Sequence, residues 1–197
     1  MSKNIKNSKK TFRSIVLILI TLGALFAADK FFVNIKPTKN DWEKYHNKTF
    51  NCVKCVDGDT IDLGIPDKKY QKTRIRLWGV DTPESVHPRK PIEHFGPEAS
   101  AYTKSLVLNK KVRVELVPNH LRGKYGRLLA YIYLPDGRLL NRVLIKKGFA
   151  FADTRFAHPK KQEFITLMKQ ARRKKIGLWR DFTPADLPYY IKGSSRH

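Results

Sequence analysis

Between Thr49 and Leu134 the chain breaks into short runs in which apolar and polar residues alternate: Thr49–Val56, Asp59–Gly64, Lys72–Gly79, Lys110–Val117 and Arg127–Leu134. Alternation with period two sends successive side chains to opposite faces, so each run reads as a half-buried strand. Asp57-Gly58 and Asp136-Gly137 are hairpin-type turns. Three further segments carry helical punctuation. Pro97-Glu98 opens Glu98–Leu108, Leu139–Lys147 stops at Gly148, and Pro159 opens a segment whose Phe164, Leu167, Met168 and Ala171 share a face before Gly177. The pattern predicts a mainly β, α+β domain: a small closed barrel of five strands with about three helices.

With 197 residues, 41% of them hydrophobic, the chain is long enough for one domain with extensions at its ends. Residues 1–33 form the first extension. Lys-rich residues 2–13 precede the apolar run Ile15–Ala28, the order of a secretory signal or signal anchor. Cleavage after Ala27 or Ala28 would put Leu25 or Phe26 at the outer recognition position, a poor fit that favours an uncleaved anchor. As a helix, Ile15–Ala28 spans about 21 Å, short of the ~30 Å hydrocarbon core unless Phe31-Phe32-Val33 extends it. The basic N-terminus would stay inside and the domain outside. Residues 34–48, polar and containing Pro37, read as a spacer, residues 49–180 as the domain and residues 181–197 as a tail.

Forty Lys and Arg against seventeen Asp and Glu give a formal charge of +23. A surplus of that size favours polyanionic partners, nucleic acid first and acidic membrane second. Against this background a few acids stand out. Asp59 follows a tight turn and Asp81 lies just beyond the third strand, so both fall at strand ends. Two carboxylates with a carbonyl such as that of Thr82 make an oxygen-only set suited to Ca²⁺ or Mg²⁺. Asp is equally a common turn and cap residue. Glu84, after Pro83, is positioned to take a proton from water, or simply to cap a loop. Arg76 alternates with Ile75 and Leu77 and so points out of the core, and Arg127 follows the Lys124-Tyr125-Gly126 turn. Their guanidinium groups suit two oxygens of one phosphate. His87-Pro88-Arg89-Lys90-Pro91 is a positive loop that could follow a nucleic-acid backbone.

Asp57-Gly58-Asp59-Thr60, Arg76-Leu77-Trp78-Gly79-Val80-Asp81-Thr82-Pro83-Glu84, Gly96-Pro97-Glu98-Ala99-Ser100 and the run from Lys124 to Tyr133 together resemble the staphylococcal nuclease (thermonuclease-like) family, in order and spacing, over about Thr49 to Trp179. The resemblance implies an OB-fold barrel and Ca²⁺-dependent cleavage of DNA or RNA at the 5′ P–O bond, leaving 3′-phosphates. It makes Asp59, Asp81 and the Thr82 carbonyl the Ca²⁺ ligands, and Glu84 the base. Arg76 and Arg127 become the pair on the scissile phosphate, with Lys124 and Tyr125 contacting a neighbouring phosphate. The chain departs from the family where two tyrosines flank the nucleotide base: Thr154 and Phe156 stand there, and only Phe156 can stack.

A monomer is expected. The rival reading is a non-catalytic OB-fold nucleic-acid-binding module, which has no use for Asp59, Asp81 and Glu84, since these repel phosphate unless a cation is present. A basic membrane-surface protein would explain the leader but none of the carboxylates. Cys52 and Cys55 form a C-x-x-C within a strand, where Cα atoms about 10 Å apart cannot form a disulfide; they read as small apolar residues. His87, His94, His120 and His158 lack ligand spacing.

Overall fold

The computed structural model describes residues 39–86 and 92–192. The leader and the loop from His87 to Pro91 lie outside that set. No helix among the described residues is long and apolar enough to cross a membrane.

Strands β1 (Thr49–Asp57), β2 (Thr60–Leu63), β3 (Thr73–Leu77), β5 (Lys111–Glu115) and β6 (Leu128–Tyr133) close into a barrel of order β1-β2-β3-β6-β5. All neighbours are antiparallel except β3 and β6, where Ile75, Arg76 and Leu77 face Leu128, Leu129 and Ala130 in parallel register. The alternation in the sequence sets what is inside. Thr73, Ile75 and Leu77 are buried, whereas Arg74 and Arg76 point outward. Ile61, Leu63, Val112, Val114, Leu128, Ala130 and Ile132 complete the barrel interior. Two short strands, β4 (Val80–Asp81) and β7 (Phe151–Ala152), pair with each other outside the barrel.

Helices α2 (Gly96–Val107), α3 (Leu140–Lys146) and α4 (Lys161–Arg173) occupy the three segments expected to be helical. Asn141, fully buried in the first turn of α3, ties this helix to the barrel: its Oδ1 accepts the Ile132 N–H at 3.1 Å and its Nδ2 donates to the Trp78 carbonyl at 2.9 Å. After α3, Gly148 takes φ 71°, and its carbonyl accepts the Leu178 N–H at 2.8 Å. A Cβ there would collide with the Ile176 carbonyl, so the close approach requires glycine.

Two expectations need correction. Within the stretch read as a spacer, Lys39–Tyr45 forms helix α1, and Tyr45 is fully buried in the core with its hydroxyl 3.0 Å from Thr73 Oγ1. Asp41 of the same helix receives a two-pronged contact from Arg122 at 2.6 and 2.7 Å, and Arg122 also grips Asp67. The domain therefore includes residues ahead of Thr49. At the other end, the stretch read as a tail is also built in. Phe182 packs on Trp179 with centroids 4.5 Å apart, and helix α5 (Tyr189–Lys192) follows a 3₁₀ turn at Pro184–Asp186.

Cys52 is buried and Cys55 half-buried, and both are free. Register shifts on either side of the Lys54–Cys55 pairings make β1 bulged rather than regular. Burial pushes the Cys52 thiol up to about 11 and the Cys55 thiol up to about 12, so neither is a reactive thiolate.

Candidate active site

The β1–β2 turn sets the first carboxylates. Asp57 Oδ1 accepts the Gly58 N–H at 2.8 Å and the Ser85 hydroxyl at 2.5 Å, which holds the turn against the segment after β4. Within the turn itself, Asp59 is 1% exposed. Its Oδ1 accepts the Thr60 hydroxyl and its Oδ2 the Thr82 N–H, each at 3.0 Å. The tight Asp-Gly turn thus delivers Asp59 to the barrel end, against the Thr82 backbone.

Arg76 lies directly across from Thr60 in the β2–β3 ladder, and its guanidinium reaches over the same end. One arm pairs with Asp59 Oδ1. The other donates to Asp81 Oδ1 at 2.5 Å and to the Val80 carbonyl at 3.0 Å. One guanidinium therefore bridges both carboxylates. Burial disfavours its charge, but Asp59 and Asp81 outweigh that and hold the Arg76 pKa above the usual arginine range. Asp81 is pushed up by burial, drawn back by Arg76, and pushed up again by the like charge of Asp59.

Glu84 shares the turn after β4. Its N–H donates to Glu93 Oε2 at 3.0 Å and its carbonyl accepts the Glu93 N–H at 2.8 Å, which pins its backbone. No Lys or Arg among the described residues forms a salt bridge with Glu84. Its carboxylate lies beside Asp57, whose pKa is raised by burial, drawn back by the Ser85 and Gly58 hydrogen bonds, and raised again by Glu84.

Arg127 precedes β6, which the parallel register sets alongside β3. Burial and then the positive charge of Arg76 lower its pKa. It has no salt bridge among the described residues, in contrast to Arg76. Lys124 and Tyr125 sit at the exposed tip of the preceding turn, the Lys124 ammonium 5.7 Å and the Arg127 guanidinium 5.8 Å from the Tyr125 ring centre. Phe156 is 59% exposed, its ring 5.8 Å from the Arg155 guanidinium, and the Thr154 carbonyl accepts Lys161 Nζ at 2.8 Å.

Sequence reasoning missed three residues at this end of the barrel. Arg155 is gripped by Asp153 at 2.8 and 2.9 Å and approaches Asp81 Oδ1 at 3.4 Å. Tyr190 donates its hydroxyl to Asp81 Oδ2 at 2.9 Å. Asp153 and Arg155 are two residues apart, a spacing that could have marked a chelated pair. For Tyr190 no sequence signal exists, because its partner is 109 residues away.

The donor chemistry fits a hard cation. Asp59 and Asp81 offer oxygens on opposite sides of one positive group, the Thr82 carbonyl follows directly, and Thr82 Oγ1 is buried without a hydrogen-bond partner. Among the described residues no cluster of three or more His, Cys, Asp or Glu assembles. A cation here would therefore complete its shell with water or substrate oxygens, as hard cations at phosphate sites do.

A closed five-stranded OB-type barrel with acid and guanidinium groups gathered at one end defines the class. The profile described as "Staphylococcal nuclease homologue" matches residues 74–181. The chain is 34% identical to the thermonuclease of Staphylococcus hyicus, over 83% of this chain and 95% of that protein. It is 36% identical to the thermonuclease of Staphylococcus intermedius, over 81% and 97%, and 31% identical to Endonuclease YncB of Bacillus subtilis (strain 168), over 73% and 66%. The protein belongs to the staphylococcal nuclease family.

Proposed function

We propose that this protein is a calcium-dependent nuclease that hydrolyses the 5′ P–O bond of DNA or RNA and leaves 3′-phosphates. The observation that carries the reading is the Arg76 bridge between Asp59 and Asp81, with Glu84 in the adjoining turn and Arg127, which has no salt bridge among the described residues, just before β6. Thermonucleases and an endonuclease among the relatives support the same class.

Asp59, Asp81 and the Thr82 carbonyl would hold Ca²⁺, which when bound neutralises phosphate charge and polarises the phosphoryl group. Glu84 takes a proton from the attacking water. The water oxygen forms a bond to phosphorus, the bond to O5′ breaks, and O5′ leaves with a proton from solvent. Arg76 and Arg127 donate to the equatorial oxygens, where negative charge builds. In this account Arg76 would turn from the carboxylates towards the phosphate when substrate is bound. Lys124 and Tyr125 hold a neighbouring phosphate, and Phe156 offers a face to a base. The protein acts as a monomer outside the cytoplasm, secreted or held to the membrane by its N-terminal segment.

Digestion of plasmid DNA and of RNA with Ca²⁺, with Mg²⁺ and with chelator tests this reading. Cleavage with Ca²⁺ that chelator stops is the expected result. Binding without cleavage under every condition would leave the OB-fold binding module as the better account.

A further inference from the structure

A cleft of about 490 Å³ opens beside the carboxylates, within the ~300–1,000 Å³ typical of small-molecule sites. One wall is the turn from Asp81 to Glu84. The facing wall is the C-terminal segment, with Phe182, Leu187, Pro188 and Tyr189. Lys124, Tyr125, Arg127 and Phe156 are not among its lining residues, so the Lys124–Arg127 turn forms no part of its wall.

Helix α5 is fixed over this cleft by Tyr190, whose hydroxyl binds Asp81 and whose ring stacks 4.4 Å from the Arg155 guanidinium. Tyr189 stands perpendicular to Tyr190, centroids 5.5 Å apart, and the residue is 75% exposed at the cleft edge. A bare phosphate or cation needs only the polar wall. A flat heterocycle joined to a phosphate uses both, with its phosphate towards the Arg155 guanidinium, which also lines the cleft, and its face on an aromatic ring.

We propose that this cleft is a nucleoside subsite, taking the nucleoside on the side of the scissile phosphate away from Lys124 and Tyr125, with the Tyr189 ring as its stacking surface. The proposal rests on the nuclease reading for its choice of ligand. Tyr189 is a binding residue here and takes no part in the chemistry.

The test measures binding of a fluorescein-labelled single-stranded oligonucleotide to the full chain carrying Glu84→Gln, with Ca²⁺ present. Tyr189→Ala should weaken binding by about tenfold, within the range for one base–aromatic stack, and Tyr189→Phe should hold it within about twofold. With an abasic residue at one of the two positions flanking the scissile phosphate, the Tyr189→Ala penalty should vanish. Equal affinity of Tyr189→Ala and its parent on the intact strand, or an equal penalty whichever base is missing, would overturn the subsite. Cleavage is read separately on the chain with Glu84 intact. Tyr189-dependent binding without cleavage would support the subsite and remove the nuclease reading, whereas cleavage with Tyr189-independent binding would do the reverse.

Discussion

Tyr190 and Asp81, 109 positions apart, are joined by a 2.9 Å hydrogen bond from the tyrosine hydroxyl to Oδ2. Because Arg76 and Arg155 approach Oδ1, both oxygens of Asp81 are engaged. A cation at Asp81 must therefore compete with a hydroxyl and two guanidinium groups. Tyr190→Phe removes one competitor and should lower the Ca²⁺ concentration giving half-maximal cleavage. It should also cost about 1 kcal/mol of stability, the usual worth of one hydrogen bond. Calcium titration and urea unfolding read the two effects, and an increased Ca²⁺ requirement would contradict the competition.

Arg76 is the counter-charge of two largely buried carboxylates. Replacing it with Ala leaves them facing each other, and breaking such a pair costs about 3–5 kcal/mol where the remaining charge stays buried. Added Ca²⁺ should recover part of that stability, since it supplies the missing positive charge. Thermal unfolding of Arg76→Ala with and without Ca²⁺ checks this, and an identical melting temperature in both would argue against a cation site at Asp59 and Asp81.

Helix α1 is part of the domain, because Tyr45 fills the core and Asp41 anchors Arg122. Tyr45→Ala should cost about 3–5 kcal/mol, as large aromatic truncations in cores do. A fragment starting at Thr49 should likewise melt well below one starting at Pro37. Matching unfolding curves for the two fragments would show α1 to be dispensable.

The barrel was legible because period-two alternation is a local property, and the helices because Pro97, Gly148 and Pro159 punctuate them. What could not be read depends on contacts distant in sequence. Helix α1 is short and polar, and among its described side chains only Tyr45 is fully buried, so nothing repeats at helical spacing. Parallel pairing of β3 with β6 leaves no mark on either strand, yet it is what brings Arg127 beside Arg76. Asp59, Asp81, the Thr82 backbone and Arg76 meet at one end of the barrel, a convergence that spacing alone does not prove. Tyr190 was missed because it reaches the site only through Asp81, 109 residues away, and Arg155 because only its 3.4 Å approach to Asp81 ties the local Asp153–Arg155 pair to the site.

His158 is pushed down from 6.5 to about 4, first by burial and, more weakly, by Lys161 and Lys160, while Asp153 opposes the shift. Its Nδ1 is 2.8 Å from the Tyr131 hydroxyl, and its ring lies against the Cα of Gly79, where φ is 72°. The unfolded chain binds this proton more readily than the folded one. The stability it protects is therefore complete above about pH 6.5, falls as pH drops towards 4, and is lost no further below that. Urea unfolding of the native chain and of His158→Asn from pH 8 to pH 4 should show a shallower acid slope for the variant. Parallel slopes would assign the acid sensitivity to other groups.

Glu84 is the residue on which the proposed chemistry turns. The most direct test is the cleavage rate of a labelled oligonucleotide, measured for the native chain and for Glu84→Gln at saturating Ca²⁺, with binding of the same strand measured alongside. Loss of the general base should slow cleavage by about 10²–10⁴-fold, with strand affinity within a few-fold of native. Cleavage by Glu84→Gln at the native rate would contradict the account.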